Sequence, residues 1–238
     1  MNWKQRLDRW LRISVRRKLL DEHLEQMRAE MTGRVLEIGA GRNGRRGEFH
    51  PPLENTDNWI YLNLLSIQSP HVQADVQRLP FRSDSFDTVV CLEVMEYIDE
   101  PSVGLREAKR VIRSGGKLVI SLPFMHRHDA PTDFWRFTEA GIERILSENS
   151  LQIIALKKQG SGLAVAVSIL KHWIHVSGED RRLWYALVAK PFLDYLWNRD
   201  KITAATIPTL ETFSTGYLIL AAPSVNRPSQ VTEGKEID

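Results

Sequence analysis

Two stretches of this chain hold residues whose types and spacing suit chemistry. The first is Arg34-Val35-Leu36-Glu37-Ile38-Gly39-Ala40-Gly41-Arg42-Asn43-Gly44, a short apolar run that breaks into glycines. Gly39 and Gly41 open backbone angles closed to other residues and leave the main chain bare for a ligand. The second stretch runs from residue 123 to 138 and contains His126, His128, Asp133 and Arg136. An imidazole titrates near neutrality, so His126 or His128 can take a proton from a substrate hydroxyl. Asp133 and Arg136 equally suit a structural pair that clamps the loop, with Trp135 filling the core. No carboxylate–histidine pattern at zinc spacing accompanies the histidines, so no metal is expected.

Residues 39–44 fit G-x-G-x-x-G, the dinucleotide fingerprint. That fingerprint needs its third glycine to open a helix whose N-terminus holds a pyrophosphate. Here Arg45, Arg46, Gly47, Glu48, Phe49, His50, Pro51 and Pro52 follow, with no helical period and two closing prolines. The nicotinamide reading loses its mechanism at that point. A strand ending in glycines is still the usual entry to a nucleotide-type site at the carboxyl edge of a parallel sheet.

The elements that must position these residues read in order. Residues 2–30 are expected to be helix, with Trp3, Leu7, Trp10, Leu11 and Val15 on one face among arginines. Strands are expected at 35–38, 59–65, 72–74, 86–92, 117–122, 151–156 and 216–222. Pro101 opens a helix with Leu105, Ala108, Val111 and Ile112 inward, stopped by Gly115 and Gly116. Thr138 caps a helix over 139–149. Alternation of strand and helix predicts an α/β fold with a doubly wound, mainly parallel, seven-stranded sheet. The roughly fifty residues before the last strand are too long for a plain connection and predict helices of their own.

Composition narrows the class. With 238 residues, 42% hydrophobic and 26% charged, the chain suits one sizeable α/β core with an appended subdomain. A net charge of +2 does not call for nucleic acid as a partner. The first twenty residues are uneven, with Lys4, Arg6, Arg9, Arg12, Arg16, Arg17 and Lys18 against Asp8 alone. The single cysteine, Cys91, lies in an apolar run and permits a reducing, cytoplasmic setting. Neither a secretory leader nor an apolar run of the roughly 18 residues that span a bilayer is expected.

Taken together, Val35-Leu36-Glu37-Ile38-Gly39-Ala40-Gly41, then Asp75 with Leu79-Pro80-Phe81, then residues 85–94, then Arg110-Val111-Ile112-Arg113-Ser114-Gly115-Gly116, resemble the class I S-adenosylmethionine-dependent methyltransferases. The likeness is greatest to their small-molecule type 11 branch and spans roughly residues 33–160. It implies that Gly39, Ala40 and Gly41 pass under the methionyl part of S-adenosylmethionine, with Glu37 orienting the turn or the ammonium. It implies Asp75 as acceptor for the adenine amino group beside Val76, and Cys91, Leu92 and Glu93 as the floor. The family's acidic residue after the second strand is missing, and Asn63 is the neutral candidate in its place, with Leu65 the other residue that can fall there.

Five segments follow: a basic amphipathic helix over 1–32, a cofactor-binding core over 33–160, a helical cap over 161–212, the last strand over 213–222 and a mobile tail over 223–238. The cap reads either as two helices packed on themselves and the sheet edge, or as a lid or membrane-facing surface for a hydrophobic or lipid-linked acceptor. The expected function is methyl transfer to a small-molecule or lipid/glycan-linked acceptor, in the cytoplasm or peripheral to the inner face of the membrane. The rival is a degenerate methyltransferase fold kept as a binding module. Oligomeric state is not readable from the residues.

Overall fold

A computed structural model of the chain describes residues 2–42 and 47–224. Asn43 and Gly44 of the glycine motif and the tail beyond residue 224 lie outside the described residues. Seven strands form one sheet: β1 (Gly33–Ile38), β2 (Thr56–Asn63), β3 (Val72–Gln73), β4 (Phe86–Leu92), β5 (Ile112–Pro123), β6 (Leu151–Lys158) and β7 (Gly216–Pro223). Their order in space is β3-β2-β1-β4-β5-β7-β6. Strands β1 to β5 pair in parallel, while β7 slots between β5 and β6 antiparallel to both. The order reverses between β1 and β4, so the loop after β1 opens at the switch point where such sheets bind ligands.

Successive residues of the central strands face opposite layers, as the two-residue period demands. Leu36, Val89 and Ile120 pack under helices α3 (Pro101–Val111) and α4 (Glu139–Glu148). Their neighbours Val35, Val90 and Val119 pack against Leu20 and Leu24 of helix α2 (Val15–Gln26). Burial on both faces is why these strands read as unbroken apolar runs rather than alternating ones. Thr138 caps α4 as expected, its side chain accepting from Gly141 N at 3.1 Å.

Three expectations fail. The N-terminal helix is two helices, α1 (Trp3–Arg12) and α2, because Ser14 accepts from Arg17 N at 3.1 Å and starts a new helix. Leu7, Leu11 and Val15 are buried, but Trp10 is half-buried and Trp3 is 57% exposed, so the expected stripe is narrower. Gly115 and Gly116 do not stop α3, which ends at Val111. They sit in a bulge near the start of β5, where the pairing jumps from Phe86↔Ile112 to Thr88↔Lys117. Gly115 takes φ +77° there.

The segment before β7 forms α5 (Gly162–Val176), α6 (Glu179–Thr206) and the short α7 (Pro208–Glu211). These helices pack with the N-terminal pair around Leu7, Leu11, Leu19, Val167, Ile174 and Leu193, a third core separate from both faces of the sheet. The buried Asp200 of α6 locks the hairpin. Its carboxylate accepts from Ser161 N at 3.0 Å, Ser161 Oγ at 2.6 Å and Ala164 N at 2.8 Å, capping α5 from outside its own helix.

Candidate active site

The carboxyl ends of β1 to β5 share one edge, and the residues singled out from the sequence, His128 apart, lie on it or just behind it. On the β1–β3 side the polar side chains bind the protein's own backbone. Gly39 takes φ +84°, and its N–H donates to Leu62 O at 2.8 Å. Asn63 Nδ2 donates to Gly39 O at 2.8 Å while Asn63 Oδ1 accepts from Leu65 N at 2.9 Å. Both polar ends of Asn63 are therefore spent on shaping the glycine turn. A side chain at Gly39 would meet Val94 Cγ2 at 2.2 Å, and one at Gly41 would meet the carbonyl of Gln68 at 1.9 Å. These glycines are needed first because neighbouring chain passes so close.

Glu37 is buried on the α2 side of the sheet, where Trp59 Nε1 donates to it at 2.8 Å. Asp75 follows β3 and accepts from Gln77 N at 2.9 Å, capping the turn that carries the buried Val76. Ala40 and Leu92 are half-buried. Cys91 is fully buried in the layer under α3, and burial pushes its thiol up beyond the ordinary range. It serves the edge as core behind it, with no surface to offer a ligand.

The β4–β5 side is built differently. Glu93 follows β4 with φ +57°, held by Ser121: the Glu93 N–H donates to Ser121 Oγ at 3.0 Å, and that hydroxyl donates to Glu93 Oε1 at 2.8 Å. The other carboxylate oxygen pairs with Arg16 of α2, whose side chain is only 12% exposed. Three residues on, Glu96 is buried, and its Oε2 has no hydrogen-bond partner among the described residues. Burial, then the neighbouring Glu93 carboxylate, pushes Glu96 up to about 8, so it holds its proton at neutral pH.

His126 is half-buried beside this cluster. Burial first, then the Arg16 guanidinium, lowers its pKa, which keeps the imidazole neutral. Its Nδ1 lies 2.7 Å from Arg127 O, and a carbonyl only accepts, so Nδ1 carries the proton and Nε2 keeps its lone pair. Arg136 fixes this geometry. It binds Asp133 twice, at 2.5 and 2.7 Å, and donates to His126 O at 3.1 Å and Arg127 O at 2.7 Å. That arginine holds Asp133 below the usual carboxylate range. The loop then docks on the turn after β4: Phe134 N donates to Glu96 O at 2.8 Å and Trp135 Nε1 to Ile98 O at 2.9 Å. Trp135 is 43% exposed, so it pins the loop by its indole N–H and does not fill the core as expected. His128 is exposed, and only its carbonyl joins the loop, accepting from Arg127 Nη1 at 3.3 Å.

Arg16 and Glu96 escaped sequence reasoning. Arg16 looks like any of the seven cations of the first twenty residues, and Glu96 like a loop carboxylate. Only burial separates them from their neighbours. A hollow of about 460 Å³ opens behind the loop between Asp99, Pro101, Trp135 and Ile145, reaching none of the residues of the glycine turn. Among the described residues no group of His, Cys, Asp and Glu can hold a metal ion.

Comparison with known proteins agrees with this architecture. Residues 55–120 match the type 11 family model described as "Methyltransferase domain". An uncharacterized protein of Methanocaldococcus jannaschii is 33% identical over 93 residues, covering 36% of this chain and 39% of that protein. The demethylmenaquinone methyltransferase of Streptomyces griseus is 41% identical over 51 residues, 21% of this chain and 22% of that enzyme. The chain thus matches well under half the length of these relatives. Among solved structures, the Burkholderia thailandensis 1,6-didemethyltoxoflavin-N1-methyltransferase, with S-adenosylhomocysteine bound, superposes with a TM-score of 0.51 at 13% identity, covering 91% of this chain and 81% of that one. The fold is the Rossmann-like methyltransferase fold.

S-adenosylmethionine fits the residues in part. The exposed main chain at Gly39, the half-buried Asp75 carboxylate and the apolar Val76 suit its methionyl, adenine-amino and ring portions. The ribose position does not follow the family pattern, because Asn63 is turned onto the backbone.

Proposed function

We propose that this chain, a Rossmann-like methyltransferase fold with a type 11 match over its β2–β5 region, is an S-adenosylmethionine-dependent methyltransferase acting on a small-molecule or lipid/glycan-linked acceptor. The observation that carries the reading is the glycine turn at the switch point of a sheet ordered β3-β2-β1-β4-β5-β7-β6, with Asp75 two strands away on the same edge. When bound, S-adenosylmethionine supplies an electrophilic methyl group on a sulfonium. The chain's own residues align and deprotonate. Gly39, Ala40 and Gly41 offer main chain without side-chain bulk, Glu37 stiffens the strand beneath through Trp59, and Asp75 accepts from an amino group. Leu92 and Glu93 floor the edge, with Cys91 as packing behind them.

His126 Nε2 takes the proton of an acceptor hydroxyl, and Arg136 acts as a positioning residue through the backbone of 126–127. His128 stands outside this arrangement. Arg16 and the 123–138 loop keep water from the β4 side of the edge. A lipid-linked acceptor is supported by the apolar surface of the α5–α6 cap, and the similar Streptomyces protein is named for the quinone acceptor demethylmenaquinone. On this reading the chain works in the cytoplasm at the inner face of the membrane, with segments 1–32 and 161–212 as a helical cap beside the 33–160 core.

Calorimetric titration of the full chain with S-adenosylmethionine and S-adenosylhomocysteine tests the reading. Saturable heat with both supports it. A second reading, a non-catalytic binding module, is favoured by two observations: both polar ends of Asn63 are spent, and the Gln68 carbonyl fills the space beside Gly41. No heat and no thermal shift with either ligand selects that module.

A further inference from the structure

Helix α6 carries an apolar row that nothing among the described residues covers. Trp184, Val188, Phe192 and Tyr195 recur at three- and four-residue spacing and are each between 58% and 64% exposed. Arg181 and Arg199 continue the same row at its two ends, both are exposed, and neither makes an ion pair among the described residues. No acidic residue falls on the row. On α5 a second row, with Trp173 and Val176 57% and 60% exposed, joins it through the stack of Trp173 on Tyr185 at 5.5 Å. The inner faces of both helices are already satisfied by the third core, so these outer residues are surplus to folding.

Large aromatics bracketed by arginines on the outside of a helix are the composition of an interfacial helix, whose rings sit at headgroup depth while cations meet anionic phosphates. No helix among the described residues is long and apolar enough to cross a membrane. His172, one residue before Trp173, is close enough to Arg127 and Asp129 to feel both charges, which puts this end of α5 beside the loop that carries His126.

We infer that the outer face of the α5–α6 hairpin docks on an anionic lipid surface, so that the loop holding His126 faces the bilayer from which a lipid-linked acceptor would enter. The docking stands on the rows alone. The entry route rests on the lipid-linked reading of the acceptor.

The experiment is co-sedimentation of the full chain with vesicles of phosphatidylcholine alone and of phosphatidylcholine mixed with phosphatidylglycerol, read alongside tryptophan emission. Binding is expected to the mixed vesicles, with a blue shift. It should fall at least about tenfold at ~1 M salt, where the Debye length shrinks to roughly 3 Å. The Trp184→Glu/Phe192→Glu variant is expected to lose at least about tenfold in partitioning while keeping its thermal midpoint and its heat with S-adenosylmethionine. Arg181→Gln/Arg199→Gln should bind both vesicle types alike.

Protein left in the supernatant, equal binding to neutral vesicles, or an unaffected glutamate variant overturns the docking. So does a concentration-dependent dimer, in sedimentation velocity, that Phe192→Glu dissolves while vesicles capture nothing. Vesicle binding without any heat from S-adenosylmethionine would remove the methyltransferase reading and leave the docking in place.

Discussion

The two halves of the sheet's carboxyl edge handle polar groups in opposite ways. Beside β1, β2 and β3 the side chains of Asn63 and Asp75 end on backbone and that of Glu37 on Trp59. Beside β4 and β5, Arg16, Glu93, Glu96 and His126 face one another, with one carboxyl oxygen unpartnered and an imidazole nitrogen open. The first half is a rigid surface made of main chain, suited to holding a constant ligand. The second keeps titratable groups poised at a cost in folding energy, as sites of proton transfer do. Under the proposed methyl transfer, recognition falls to one pair of strands and proton handling to its neighbours.

Gly41→Ala would strain the first half most. Its new carbon would lie 1.9 Å from a backbone oxygen that has no rotamer to escape into. A loss of about 1–3 kcal/mol in stability and at least tenfold in cofactor affinity is expected, read by thermal melting and calorimetry. Unchanged values would mean that this turn is soft and the contrast between halves is false.

Glu96→Gln probes the second half. The folded chain keeps the Glu96 proton between the ordinary 4.5 and about 8, whereas the unfolded chain has lost it. Wild-type stability should therefore fall as pH rises through that window, by a few kcal/mol at most, while the glutamine variant stays flatter. Parallel stability profiles for the two proteins would show that Glu96 is not held neutral.

Asn63→Asp separates shaping from ribose binding. A carboxylate cannot donate to Gly39 O, so the variant should lose about 1–2 kcal/mol and bind S-adenosylmethionine more weakly. Tighter binding would show that position 63 reaches the ribose after all. The smallest effect is expected from His128→Ala, within about 0.5 kcal/mol in stability and near wild-type turnover. His126→Ala should instead abolish the neutral-pH limb of activity on a hydroxyl acceptor. Equal losses from the two histidines would erase the assignment of the base.

Much of the fold was legible. The apolar runs, the glycine break after Ile38, Pro101 at a helix start and Thr138 as a cap all report local physics, and local physics is written in neighbouring residues. So was the Asp133–Arg136 clamp, whose partners are three positions apart. What neighbours do not encode went unread. The helix break at Ser14 rests on one hydroxyl, and the glycine bulge in β5 depends on pairing with β4. The burial of Arg16 and Glu96 arises only when α2, which carries Arg16, crosses the edge that holds Glu96, some eighty residues away in sequence. Periodicity and turn chemistry settle which segments become strands and helices, because those preferences act over a few bonds. Which charged groups lose their water, and so which can carry protons, is decided when distant elements close over them, since desolvation depends on everything packed around a group.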